Sequence, residues 1–256
     1  MSNACSDQLH AYSVIWRRKP ALRAVYSDFF SRIARMCRPG NSLELGSGVA
    51  SMKDVVPNLV ASDLQACELA NVALDAHYLP FQDDSFDNIV MIDVLHHLAF
   101  PLRFLSEAQR CLRPQGRLVI LEPAMTPFAR FVYGLFHAEH FDEKVDLFSG
   151  HALSSEKDPY DANMAIPSLL FSSNLRQTLS SYPELKLVRR QWFSFLVYPL
   201  TGGFQRWCLM PTFVVPWLLK LEAPFERTLG RYLGLRMFIV LEKAGIGFDH
   251  KLVGVP

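Results

Sequence analysis

Leu43-Glu44-Leu45-Gly46-Ser47-Gly48 (LELGSG) reads as a short buried strand that runs straight into a glycine turn. A chain leaving a sheet for a helix must bend sharply there, and glycine tolerates the backbone angles and lets a ligand approach the main chain. Gly46 and Gly48 supply that freedom, while Ala50 and Ser51 leave the dinucleotide pattern G-x-G-x-x-G incomplete. Glu44 stands inside the strand, where a parallel sheet is apolar throughout, so it requires a cationic or hydrogen-bonding partner.

Downstream, NLVASD ends at Asp63, a second strand closing on a carboxylate. At the carboxyl end of a strand, such an acid suits the two hydroxyls of a ribose. It equally suits a helix N-cap, with Leu64 to Leu69 as the first turns. The run LDAHYLPFQDDSFDNIVMIDVLHHL, residues 74–98, then supplies a loop with Asp75 and a further strand that closes on Asp93. Together these ends form a pocket able to hold a nucleoside.

The ordered set LELGSG, Asp63, LDAHYLPF with DDSFDNIV, DVLHHL and LRPQGRLVILEP (residues 112–123) resembles the class I S-adenosylmethionine-dependent methyltransferases. It is most similar to the group containing the ubiquinone and menaquinone C-methyltransferases. The motifs span about Leu43 to Pro123. The resemblance implies S-adenosyl-L-methionine as cofactor. It implies that Glu44 orients the methionine ammonium end through the turn, with Gly46, Ser47 and Gly48 beside the cofactor. It gives Asp63 to the ribose with Leu64 next to it, Asp75 and the backbone of Ala76 to the adenine, and Asp93 to the methionine moiety. Ala50 departs from relatives that carry a third glycine.

The implied fold is α/β and Rossmann-like: a seven-stranded, mostly parallel sheet with an antiparallel last strand, flanked by helices. Strands are expected near 42–46, 59–62, 87–93, 116–121, 186–195 and 235–242, with helices over Ala21 to Cys37 and near 102–112. No repeat or linker divides the chain. A single domain is expected, with its core at about 21–123 and 173–245 and two insertions.

The first insertion, 124–172, is rich in aromatics (Phe128, Phe131, Tyr133, Phe136, Phe141, Phe148) and is expected to cap the cofactor's methyl group or to cover the sheet edge. It carries His137 and His140, which with His96 and His97 are the candidates for a general base or for substrate positioning. His137 and His140 lie three apart, but no metal is expected, because helical ligand pairs are usually four apart with a distant third ligand. Asp158, Tyr160 and Asp161 border the pocket or serve as turn residues around Pro159.

The second insertion spans about 199–234, and its apolar part, Trp207 to Leu221, is too short and proline-broken to span a bilayer. Three readings stay open for it. It packs against the cap, lines a groove for an oily substrate, or makes peripheral membrane contact through about 204–221.

The 256 residues carry 26 Lys+Arg against 25 Asp+Glu, so the chain has almost no net field and nucleic acid is not an expected partner. The WRRK run at 16–19 reads as a solvated turn. Five dispersed cysteines (5, 37, 67, 111 and 208) suggest neither disulfides nor a zinc knuckle, and the start MSNACSDQLH has no signal-peptide pattern, so a cytoplasmic location is expected. The expected function is methyl transfer from S-adenosylmethionine to an oxygen or carbon of a hydrophobic small molecule, aromatic, polyketide-like or lipid-linked. The alternatives are an NAD(P)-dependent oxidoreductase and a catalytically silent binding protein of the same fold.

Overall fold

A computed structural model describes residues 3–136, 141–149 and 162–245 of the chain. Two helices, α1 (Asn3–Arg18) and α2 (Pro20–Ala34), precede the sheet. The strands are β1 (Ser42–Leu45), β2 (Leu59–Asp63), β3 (Val72–Ala73), β4 (Phe86–Ile92), β5 (Leu112–Pro123), β6 (Leu185–Phe193) and β7 (Arg236–Lys243). They form one sheet in the order β3-β2-β1-β4-β5-β7-β6, in which β7 runs antiparallel to both neighbours and the other pairings are parallel. The remaining helices are α3 (Pro101–Cys111), α4 (Pro127–Phe136), the short α5 (Ile166–Ser168), α6 (Leu175–Ser181), α7 (Val197–Thr201) and α8 (Val215–Leu233).

The middle runs of β4, β5 and β7 (89–92, 118–121 and 237–241) are apolar because both sheet faces are covered. Val90, Val119 and Val240 point into a core shared with Leu22, Val25, Phe29 and Ile33 of α2. Their neighbours Ile89, Leu118 and Ile239 point the other way, toward Phe104 and Leu105 of α3. Period-2 side-chain alternation thus divides one run of branched residues between two cores. Proline at the first turn of α2 and of α3 starts each helix with its ring already at a helical φ.

The strands and α3 lie within a few residues of their expected places. The exceptions have physical causes. β3 is only two residues long, too short for any alternation to register. Helix α1 was not expected; its sequence is more polar than that of α2. The WRRK run is not a solvated turn. Trp16 packs edge-on against Tyr26 with ring centroids 5.3 Å apart, and Lys19 is buried, its ammonium donating to the Gly203 and Gln205 carbonyls at 2.6 and 2.8 Å. Leu64 to Leu69 form no helix, which removes the N-cap reading of Asp63. The stretch Trp207 to Leu221 is split: Met210 and Val215 are buried and α8 packs on α4, β6 and α2, whereas Trp207, Leu209, Phe213, Trp217 and Leu221 are exposed.

Candidate active site

The parallel strands deliver their carboxyl ends to one side of the sheet, as the open α/β architecture requires. A cavity of about 960 Å³ opens there. Its walls include every described residue expected at the site: Glu44, Gly46, Ser47, Gly48, Asp63, Leu64, Asp75, Ala76, Asp93, His96 and His97. His137 and His140, like Asp158, Tyr160 and Asp161, lie outside the described residues.

Gly46 adopts φ +71°, and a Cβ on it would stand 2.2 Å from the Val94 side chain, so no other residue fits the turn. Gly48 has φ +47°, and a Cβ there would meet nothing closer than 3.9 Å; it would intrude on open space at the cavity wall. Asp63 braces the turn, accepting from the Gly48 N–H at 2.9 Å through one oxygen and from the Gln65 N–H at 3.2 Å through the other.

Glu44 finds the partners its position demands. Its carboxylate accepts from the Ser51 hydroxyl at 2.5 Å and from the Met52 N–H at 3.1 Å. Burial pushes its carboxyl up to about 7, against the opposing pull of those two hydrogen bonds. Asp75 is engaged differently: its Oδ1 accepts from the His77 N–H at 2.8 Å and lies 2.6 Å from His77 Nδ1.

Asp93 takes a left-handed φ of +56°, which costs a non-glycine residue about 1 kcal/mol or more. Two side chains hold it. The Tyr26 hydroxyl donates to Oδ2 at 3.2 Å, and the buried Arg236 guanidinium pairs with Oδ1. Arg236 also lies 4.4 Å over the Tyr198 ring. Burial, with Asp93 beside it, raises the Tyr26 phenol well above its usual range, so it remains a donor.

The deepest feature is a buried pair. His96 Nδ1 lies 2.5 Å from Glu122 Oε2, and the other Glu122 oxygen accepts from the N–H groups of Val94 and Leu95, each at 2.7 Å. Glu122 is wholly buried at the end of β5, and the neighbouring His97 ring is 4.1 Å from that of His96, centroid to centroid. A carboxylate fixed by two backbone donors holds the imidazole with its Nδ1 edge toward Glu122. Asp93, His96 and Glu122 could in number form a three-ligand metal set. The hydrogen bonds just described already engage both oxygens of Asp93, both of Glu122 and Nδ1 of His96.

The cap contributes Val132, Tyr133 and Met164 to the cavity, while Phe128, Phe141 and Phe148 pack on the sheet core. Of these aromatics, Tyr133 lines the cavity and the other three cover the core. Glu122, Tyr26, Arg236 and Tyr198 were not among the expected site residues. Glu122 carried a legible signal, the same as Glu44: a carboxylate in an otherwise apolar strand. Tyr26 did not, since it sits on a helix face that reads as core.

The residues present fit the implied cofactor: the cavity has a glycine turn whose Gly48 leaves open space, and its walls carry the carboxylates of Asp63 and Asp75 and the buried Glu44. Residues 46–120 match the methyltransferase domain family. A demethylmenaquinone methyltransferase of Beutenbergia cavernae is 38% identical over 96 residues, 37% of this chain and 38% of that protein. A ubiquinone/menaquinone biosynthesis C-methyltransferase of Paracoccus denitrificans is 34% identical over 98 residues, 38% of this chain and 37% of that one. A demethylmenaquinone methyltransferase of Symbiobacterium thermophilum is 43% identical over 75 residues, 29% and 28% of the two chains. The chain thus spans under two fifths of the length of these relatives. Topology and family match define a class I S-adenosylmethionine-dependent methyltransferase domain. Over the matched region the chain is similar to ubiquinone/menaquinone C-methyltransferases.

Proposed function

We propose that this protein transfers the methyl group of S-adenosylmethionine to an oxygen or ring carbon of a hydrophobic, hydroxylated aromatic acceptor. The observation that carries the reading is the His96–Glu122 pair, set into the same cavity as the glycine turn, Asp63 and Glu44. The cofactor supplies an activated methyl on a sulfonium, whose carbon–sulfur bond breaks with its electron pair going to sulfur. What the protein adds is position, dryness and a place for a proton.

Gly46 and Gly48 admit the cofactor to the backbone, Asp63 takes the ribose, Asp75 and Ala76 take the adenine, and Glu44 orients the ammonium end. Asp93, clamped by Tyr26 and Arg236, keeps the wall of the methionine pocket rigid. His96 Nε2 removes the acceptor's hydroxyl proton, making the oxygen, or the ring carbon conjugated to it, electron-rich. Glu122 stabilises the imidazolium that forms. The relatives named for quinone biosynthesis and the apolar walls Val132, Met164, Trp207 and Leu209 support an oily acceptor.

The test is transfer of labelled methyl to hydrophobic phenols and hydroquinones. Label in such an acceptor, lost in His96→Ala while S-adenosylhomocysteine still binds, is the expected result. Label confined to polar sugars or protein would sink the acceptor class.

A further inference from the structure

The outward side of α8 is built in two rows. Trp217, Leu221, Phe225 and Leu229 follow one another at four-residue spacing, joined by Tyr232, and all are exposed. Phe213 and Trp217, at 76% and 74% exposure, are the most open of these side chains. Beside this row, Lys220, Arg227 and Arg231 fall at i, i+7 and i+11 and so share the adjoining flank. The helix has two acids, and both are turned inward. Glu222 accepts from the N–H groups of Phe195 and Val197 at 2.5 and 3.0 Å, and Glu226 pairs with Arg32 at 2.7 Å. Every charge that α8 shows to solvent is therefore positive.

The segment that leads into α8 borders the cavity. Trp207 and Leu209, in the segment leading to α8, are both exposed and both line the cavity wall. Helix α4, which packs against α8, repeats the arrangement: Val132 and Tyr133 face the cavity, while Phe131 and Leu135 are exposed. One side of the molecule thus combines an aromatic and aliphatic surface, a cationic flank and the rim of an oily pocket.

We propose that this side docks on the surface of an anionic lipid bilayer. Trp217, Leu221 and Phe225 would sink into the acyl boundary, and Lys220, Arg227 and Arg231 would reach the phosphates, so that a membrane-dissolved acceptor enters past Trp207 and Leu209 without crossing water. Charge complementarity selects lipid over a second copy of the chain. A self-association would set like-charged rows against one another, whereas an interfacial helix carries apolar and basic sides together. No described helix is long and apolar enough to cross a membrane, so the contact is with the surface.

Flotation with vesicles of roughly equal parts phosphatidylcholine and phosphatidylglycerol tests this. The protein should float with them, be released by added salt, and bind pure phosphatidylcholine vesicles at least about tenfold more weakly. Both W217S/F225S and K220E/R227E/R231E should lose about tenfold or more in vesicle affinity and bind S-adenosylhomocysteine like the parent protein, since all five positions are exposed. Flotation that fails in the parent protein, or that both variants retain, overturns the proposal. So does a concentration-dependent dimer in ultracentrifugation that W217S abolishes. Vesicle binding without any cofactor binding would instead refute the methyltransferase reading and leave this one standing.

Discussion

Glu44 is buried on an apolar strand and its carboxyl is raised from 4.5 to about 7, chiefly by that burial. A group whose folded-state value is raised binds protons more tightly when folded, so its contribution to stability falls as pH rises from about 4.5 to about 7. Glu44→Gln should flatten the pH dependence of urea unfolding across that window, by on the order of 3 kcal/mol between its ends. An identical slope in the variant would show that Glu44 titrates normally. A cationic ligand end beside Glu44 should also drive off its proton, so binding heats for S-adenosylhomocysteine near neutral pH should vary with the buffer's ionisation enthalpy, and vary less in the variant. His96→Ala and Glu122→Gln should each lower turnover by about 10² to 10³ while changing cofactor affinity little. Equal loss of cofactor binding would reassign the pair to architecture. At this scale the sequence was legible wherever a charge sat in apolar company or a glycine broke a strand. Arg236 and Tyr26 were opaque, because their roles rest on Asp93, which is brought to them only by the fold.

Helix α8 shows how one element serves two purposes. Its inner face ties β6 to α2 through Glu226, which accepts from Arg32 and from Gln191, and through Gly230, where a Cβ would lie 2.1 Å from the Trp192 carbonyl oxygen. Gly230→Ala should therefore push α8 off the sheet and destabilise the protein by about 1–3 kcal/mol, despite alanine's better helix propensity. Unfolding midpoints in urea will show it, and a stabilised variant would mean that α8 can shift freely. Strands β2 and β4 were readable from apolar runs ending in the acids Asp63 and Asp93. The helix was not, because Pro216 and Pro224 interrupt the pattern, and its apolar row faces solvent where periodicity is conventionally taken to mark the core.

For the molecule as a whole, sheet order came from family likeness and not from periodicity, since strands buried on both faces carry no alternation with which to rank neighbours. The helix α1 that closes the cavity with Gln8, Leu9 and Tyr12 gave no such warning. Saturating S-adenosylhomocysteine, about a hundred times its dissociation constant, should stabilise the fold by about 2.7 kcal/mol and raise its melting temperature by several degrees, while NADH should leave it unchanged. The measurement that bears most directly on the whole account is calorimetric titration of the parent protein and Asp63→Ala with S-adenosylhomocysteine, beside NADH. The account predicts saturable binding of the former alone, weakened at least about tenfold by the substitution. Binding of NADH, or an affinity for S-adenosylhomocysteine that Asp63→Ala leaves intact, would contradict it.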